Sequence, residues 1–448
     1  MVRLPVMASG LSGTPRSYPD AVSSSSPRMP AVPAIAIILE GKVRMDNRIV
    51  IVGAGPAGLV TALTLVKAGL PVLVIERNAT LLDDPRAATI HPATLDILDE
   101  LGIVDKVKEE GLYAPVFQFW DRPSGAMVAE FDHALLKGET RHPYVIQCEQ
   151  FKLSRIVCDL ISANALAEIR FNANVQEIAV VDEGKVRLTV STPEGNETIE
   201  TPWLIGCDGG RSTVRKSAGI EFGGFTWPER FVVITTPFDF AAEHGYSYRS
   251  YFADPDEWCN CFKVSGYDGV ALWRTVFPAD PAIGDDELLS RQFAEQKLQR
   301  FFPKSSPYEV VHHNIYTVHQ RVAETFRKGR VLLAGDSAHI NNPIGGMGLN
   351  GGVQDAFSLG QKLATVIRAE AGEHVLDLYD FQRRTITTKF VQEQSIQNKK
   401  RLEAKDADVR QRNLDELRSI AADAKLAKEF LMRTSMIAAQ RAANALTL

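Results

Sequence analysis

The stretch from Arg48 to Gly58 constrains this chain more than any other part of it. An apolar, β-branched run, Ile49-Val50-Ile51-Val52, ends in Gly53-Ala54-Gly55-Pro56-Ala57-Gly58. These glycines open a helix-prone stretch from Leu59 to Ala68 that Gly69 stops. Pro71-Val72-Leu73-Val74-Ile75 then reads as a second buried strand, followed by Glu76 and Arg77. Strand, G-x-G-x-x-G turn, helix and strand in this order form the context in which such a turn binds a dinucleotide. Gly53 permits the tight turn, Gly55 lets the backbone approach a pyrophosphate, and Gly58 lets the helix pack close to the strand. The helix N-terminus offers free N–H groups and a positive dipole end to phosphate. Glu76 can accept both hydroxyl protons of an adenosine ribose; Pro56 and Arg77 join the cofactor-binding set.

Two further motifs lie downstream. Arg330-Val331-Leu332-Leu333-Ala334-Gly335-Asp336-Ser337-Ala338-His339 is a strand ending in Gly-Asp, followed by Pro343-Ile344-Gly345-Gly346-Met347-Gly348-Leu349-Asn350 and a helical stretch from Gly351. Cys207-Asp208-Gly209-Gly210-Arg211-Ser212-Thr213-Val214-Arg215 has the form D-G-x-x-S-x-V-R. In order and spacing the three motifs resemble the FAD-dependent aromatic hydroxylases, class A flavoprotein monooxygenases of the para-hydroxybenzoate hydroxylase type. The resemblance covers Arg48 to Arg384.

That resemblance implies FAD as cofactor, NADPH or NADH as co-substrate, and dioxygen and a small aromatic compound as the other reactants. Hydroxylation would proceed through a flavin C4a-hydroperoxide. It assigns ribityl contact to Asp336 and the flavin N1/O2 edge to the backbone of Gly348, Leu349 and Asn350, where a helix start would stabilise an anion. Arg86 and Gln150 match flavin contacts, with Gln147 a rival for the second role. Asp208 and Arg211 match a motif tied to both FAD and nicotinamide. Pro343 and Gly346 would border the oxygen pocket. His91 and His339 are the histidines nearest the expected flavin. His91 is a candidate base for a phenolic proton, against a capping role; His339 is a candidate catalytic group, against a bond that holds its turn. No tyrosine occurs from Phe225 to Phe240, so the tyrosine relay of the para-hydroxybenzoate enzyme finds no position there. No second dinucleotide fingerprint is present, so the reductant is expected to dock transiently. The alternatives are a flavin-dependent epoxidase or halogenase, whose W-x-W-x-I-P signature is missing, and a non-oxygenating FAD electron carrier.

Composition excludes other classes. With 448 residues, 45% hydrophobic, and net charge −5, the chain has no electrostatic case for nucleic acid or anionic membrane. Five scattered cysteines lack metal-ligand spacing and suggest reduced thiols in the cytoplasm; Cys259 and Cys261 would face one side of a strand as packing. No metal site is expected, and the adjacent His312-His313 reads as strand-end surface. No apolar run is long enough to span a bilayer.

The expected fold is α/β: a Rossmann-like FAD-binding domain interleaved with a smaller β-sheet substrate domain and a C-terminal helical segment. Residues 1–44, rich in Ser, Pro and Ala, are expected to be a disordered extension, with Met45 a candidate natural start. The FAD-binding domain takes 45–110, 146–222 and 319–375; the substrate domain takes 111–145 and 223–318. Strands are expected at Phe231–Thr235, Tyr246–Phe252, Trp258–Val264 and Val270–Phe277, with turns at Glu183-Gly184 and Gly266-Tyr267-Asp268-Gly269. Residues 376–448 are expected as helices with mostly solvated faces, and a homodimer contact there is left open.

Overall fold

The computed structural model describes residues 43–84, 86–182, 184–267 and 269–448. The turn residues Glu183 and Asp268, and nearly all of the expected N-terminal extension, fall outside that set. A six-stranded sheet forms the base. Its order is Arg327–Lys328, Val331–Leu333, Leu204–Gly206, Ile49–Val52, Val72–Ile75 and Ala167–Arg170. All neighbours run parallel except the first pair. The inner strands are buried on both faces, which is why they read as continuous apolar runs rather than alternating ones.

Helix Pro56–Lys67 leaves the first strand with Pro56 in its first turn, where the missing N–H costs nothing. The long helix Met347–Ile367 packs across it. A Cβ at Gly360 would stand 2.7 Å from Thr64 Cγ2, so only glycine allows this approach. A four-stranded sheet has the order Val43–Met45, Gly195–Thr201, Lys185–Thr192 and Asn174–Asp182. Val43 and Arg44, expected outside the fold, pair in parallel with Thr198 and Ile199. An edge pairing made by backbone bonds leaves little trace in three side chains.

The second large layer is an eight-stranded sheet in the order His339–Ile340, His312–Ala323, Phe222–Thr236, Val270–Ala279, Cys259–Tyr267, Arg249–Ala253, Val116–Asp121 and Ala126–Asp132. It is antiparallel except between Arg249–Ala253 and Val116–Asp121. The long strands Phe222–Thr236 and His312–Ala323 run straight through the expected boundaries at 222/223 and 318/319. The boundary at 145/146 falls within strand Val145–Gln147, and that at 375/376 within helix His374–Ile386. These crossings are continuous strands and helices, so no turn-forming sequence marks them. The register slips between Thr226 and Arg230, where Pro228 removes a ladder donor.

One face of this sheet is covered by Arg291–Phe301, a helix not anticipated from sequence, whose Phe293, Leu298 and Phe301 join Cys259, Cys261 and Trp273 in a core. Both cysteines are fully buried on that side. The C-terminal helices pack on the sheet as well: Leu414, Leu417 and Phe430 join Phe117, Phe119 and Phe131, with the Phe131 and Phe430 ring centroids 4.5 Å apart. The expectation of solvated faces fails at Lys399. It is buried over the Trp227 ring and paired with Glu229 and Glu403, neutralised by partners distant or helical in sequence. Within the expected C-terminal helical segment, the chain changes to π geometry over Thr387–Gln392. No helix among the described residues is long and apolar enough to cross a membrane.

Candidate active site

A cavity of about 590 Å³ is lined by the first glycine turn, the Gly335–Gly352 segment and the eight-stranded sheet. The turn's glycines serve different purposes. Gly53 has φ +105°, and a Cβ there would meet the Cys207 carbonyl oxygen at 2.4 Å. At Gly58 it would meet the Gly53 oxygen at 1.9 Å. Gly55 is different: its Cβ would meet nothing within 4 Å, and Gly55 lines the cavity with Ala54, Pro56 and Ala57. Packing therefore demands two glycines, and whatever occupies the cavity demands the third.

Glu76 also lines the cavity. Its carboxylate accepts from Ala54 N at 2.8 Å, Asn78 N at 2.9 Å and Asn78 Nδ2 at 2.6 Å, so it braces the turn and keeps spare lone pairs for a ligand. Arg77 is exposed and does not line the cavity.

Asp336 follows the strand Val331–Leu333 and opens into the cavity. Its carboxylate has no hydrogen-bond partner among the described residues, and its enclosure by protein pushes its pKa above the usual range. Beside it, Gly346 caps the N-terminus of Met347–Ile367 at φ +69°, and Gly346, Gly348, Leu349 and Pro343 line the space. A Cβ at Gly346 would stand 3.0 Å from Thr89 Cβ. Arg86 lines the rim, half exposed and paired with Asp84 at 2.9 Å. Gln150 lines the cavity at the start of its helix. Its rival Gln147 does not: it is fully buried and accepts from Thr89 Oγ1 at 2.9 Å.

Four expected site residues stand behind the wall instead of on it. Asn350 is buried, accepts from His91 N at 2.8 Å and donates to Thr89 O at 2.8 Å and Gly346 O at 2.6 Å, so its amide pins the helix start. His91 is fully buried, with Nε2 2.8 Å from Gly345 O. Burial, then the Arg249 charge, drives its pKa far below the ordinary value, so the ring is neutral and Nε2 donates to that carbonyl. It positions the Gly345-Gly346 turn, and the expected role as a base facing the pocket is corrected. His339 Nε2 lies 2.6 Å from Asp355 Oδ2 and its ring stacks on Phe326, which likewise removes it from the cavity. Asp355 also accepts from Arg383 Nε at 2.6 Å; against the pull of burial, His339 and Arg383 hold its carboxyl at about 2. Asp208 accepts from Ser212 Oγ at 2.5 Å and Val214 N at 3.1 Å, capping helix Thr213–Ser217 rather than facing a ligand. Its neighbours Cys207 and Gly209 line the cavity.

The opposite wall was not read from sequence. Phe231, Val233, Phe262, Val264, Val276 and Val318 form an apolar surface, with Asn260, Arg274, Tyr316 and His319 as its polar members. Register puts them on one face: Asn260 opposes Val276, Val276 opposes Val233, and Phe231 opposes Tyr316. The signal was the alternation Asn260, Phe262, Val264 against Cys259 and Cys261, with one amide among apolar residues. Among the other aromatics of this sheet, Trp227, Tyr246, Tyr248, Tyr251, Phe252, Trp258 and Trp273 lie outside the cavity lining.

An unpartnered carboxylate, a glycine open to the cavity and a helix start in one cavity fit the ribityl, pyrophosphate and ring portions of FAD. Comparison with known proteins agrees. Residues 46–394 match the FAD binding domain family. The chain is 34% identical over 387 residues to para-nitrophenol 4-monooxygenase of Pseudomonas sp. (strain WBC-3), covering 86% of this chain and 94% of that protein. It is 37% identical over 341 residues to 6-hydroxy-3-succinoylpyridine 3-monooxygenase of Pseudomonas putida (strain DSM 28022 / S16), covering 76% and 85%. The crystal structure of p-nitrophenol 4-monooxygenase from Pseudomonas putida DLL-E4 superposes with a TM-score of 0.83 at 35% identity, covering 88% of this chain and 98% of that one. The chain belongs to the FAD-dependent aromatic monooxygenases, the class A flavoprotein hydroxylases.

Proposed function

We propose that this enzyme uses NADH or NADPH and dioxygen to hydroxylate a small phenolic or hydroxylated N-heteroaromatic ring. The observation that carries this is the apolar sheet face, Phe231, Val233, Phe262 and Val276, set in one cavity with Asp336 and the start of helix Met347–Ile367. An aromatic substrate buries its faces on such a wall, while a few polar groups orient it. The relatives that act on para-nitrophenol and on a hydroxypyridine support that substrate class. Bound FAD would supply the redox chemistry, relaying electrons from the reduced nicotinamide to dioxygen.

The chain's own residues do the rest. Gly55 and Pro56 receive the pyrophosphate, and Glu76 receives the adenosine ribose. Asp336 accepts from ribityl hydroxyls. The N–H groups of Gly348 and Leu349 favour negative charge at the ring edge. Pro343 and Gly346 leave room for oxygen, and His91 and Asn350 hold their loop in place. A panel of phenols and hydroxypyridines tests the reading: a true substrate accelerates NAD(P)H oxidation and yields a product with one new ring oxygen, in place of a hydrogen or of a departing ring substituent. An electron carrier would show no acceleration by any aromatic compound.

A further inference from the structure

Four polar side chains stand on the sheet wall of the cavity, and two of them are already engaged. Arg274 Nη1 donates to Arg86 O at 2.5 Å, and His319 Nδ1 is 2.9 Å from Thr226 Oγ1. The other two are not. Asn260 is 2% exposed, and its Oδ1 is buried with no hydrogen-bond partner. The Tyr316 hydroxyl is buried and makes no close hydrogen bond, with only the Asn314 side chain of its own strand beside it. A third such atom, Asn341 Oδ1, belongs to the facing loop before Pro343. A buried polar atom without a partner is destabilising, so two on one wall mark positions that a ligand completes.

Their placement specifies the ligand. Asn260, Val276 and Val233 form one cross-strand row, and Tyr316 lies on the next strand opposite Phe231, two residues from Val233. Three strand steps and a two-residue offset put the two backbone positions about 16 Å apart. Side chains on one sheet face stand side by side, so that span suits one ring with polar groups at opposite ends and a hydrogen bond at each. Val233, Val276 and Phe231 lie between them and offer only apolar contact. A carbonyl oxygen asks for a donor; a phenolic O–H asks for an acceptor. Burial pushes the Tyr316 phenol above its ordinary range, against the nearby Arg274 charge, which keeps that donor protonated.

We propose that Asn260 and Tyr316 are the specificity-determining pair for a para-disubstituted phenol, Asn260 Oδ1 accepting from the substrate hydroxyl and Tyr316 donating to an acceptor group across the ring. This rests on the functional reading above. It is tested on FAD-loaded enzyme by titrating ligands against the flavin absorption spectrum at about pH 6, where 4-nitrophenol keeps its proton. Asn260→Leu weakens 4-nitrophenol binding about 10- to 100-fold and leaves its methyl ether unchanged. Tyr316→Phe weakens 4-nitrophenol about 10-fold and leaves phenol, which lacks the acceptor, unchanged. Equal losses for every ligand, affinities within about twofold of wild type, or a wild type that binds none of the three would overturn the pairing. If the variants discriminate as expected but no phenol accelerates NAD(P)H oxidation in wild type, the functional reading fails while the recognition pair stands. If acceleration is present and the discrimination is not, only the pair fails.

Discussion

Replacing Asp355 by asparagine tests the brace behind the helix start. Asp355 is 0% exposed and accepts from His339 Nε2, Arg383 Nε and Gly335 N. Asparagine keeps the volume but removes the charge that Arg383, itself 1% exposed, requires. Removing one partner of a buried ion pair costs about 3–5 kcal/mol, because the other charge stays buried. An unfolding entropy of roughly 2.1 cal/mol/K per residue over about 400 residues turns this into a Tm drop of about 4–6 °C. The carboxyl sits at about 2, depressed from an ordinary value of about 3.9, so this stabilisation is full above that ordinary value and is lost as pH falls toward 2. The shift amounts to roughly 2–3 kcal/mol, and the gap between wild type and Asp355→Asn should narrow by that much on acidification from about pH 5 to about pH 2. Thermal scans and urea titrations across that range measure it. Adding Arg383→Met to the variant should restore part of the loss, since both buried charges are then gone. A Tm within about 1 °C of wild type, or a gap that does not change with pH, would show that the Asp355 charge does not hold this brace.

Gly55→Val places a side chain where the Cβ enters open cavity, so purified protein should fold and yet lack yellow cofactor; full FAD occupancy would remove the first turn from the site. Asp336→Ala should weaken FAD retention about 10- to 150-fold, the loss of a charged acceptor worth roughly 1.5–3 kcal/mol, read by equilibrium dialysis against the absorption spectrum. Gly346→Leu meets both a φ of +69° and Thr89 at 3.0 Å from its Cβ; it should divert NAD(P)H oxidation from hydroxylated product to hydrogen peroxide or stop oxygen uptake, and full coupling would contradict the placement.

The cofactor half of the site was legible because its constraints are local. Gly58 meets the Gly53 backbone within the same turn, and Asp336 and Gly348 sit at strand and helix ends that sequence marks well. What sequence does not reveal is which way a polar residue near such an end turns. His91, His339, Asp208 and Asn350 all belong to recognisable motifs, yet each bonds backward into the scaffold. The substrate wall was harder still. Asn260, Arg274 and Tyr316 come from three strands separated in sequence, and they share a cavity only through the register of the eight-stranded sheet. The π segment Thr387–Gln392 left no trace either, since its residues do not interrupt the flanking helical pattern.

Oxygen insertion into an aromatic ring at this cavity is decided by isotope. The compound that most accelerates NAD(P)H oxidation should be turned over under heavy-oxygen-labelled dioxygen in ordinary water, and the product examined by mass spectrometry. Each product molecule should carry one labelled oxygen atom newly attached to its ring. Label arriving from water instead, or NAD(P)H consumed with no oxygen gained by any aromatic compound, would contradict it.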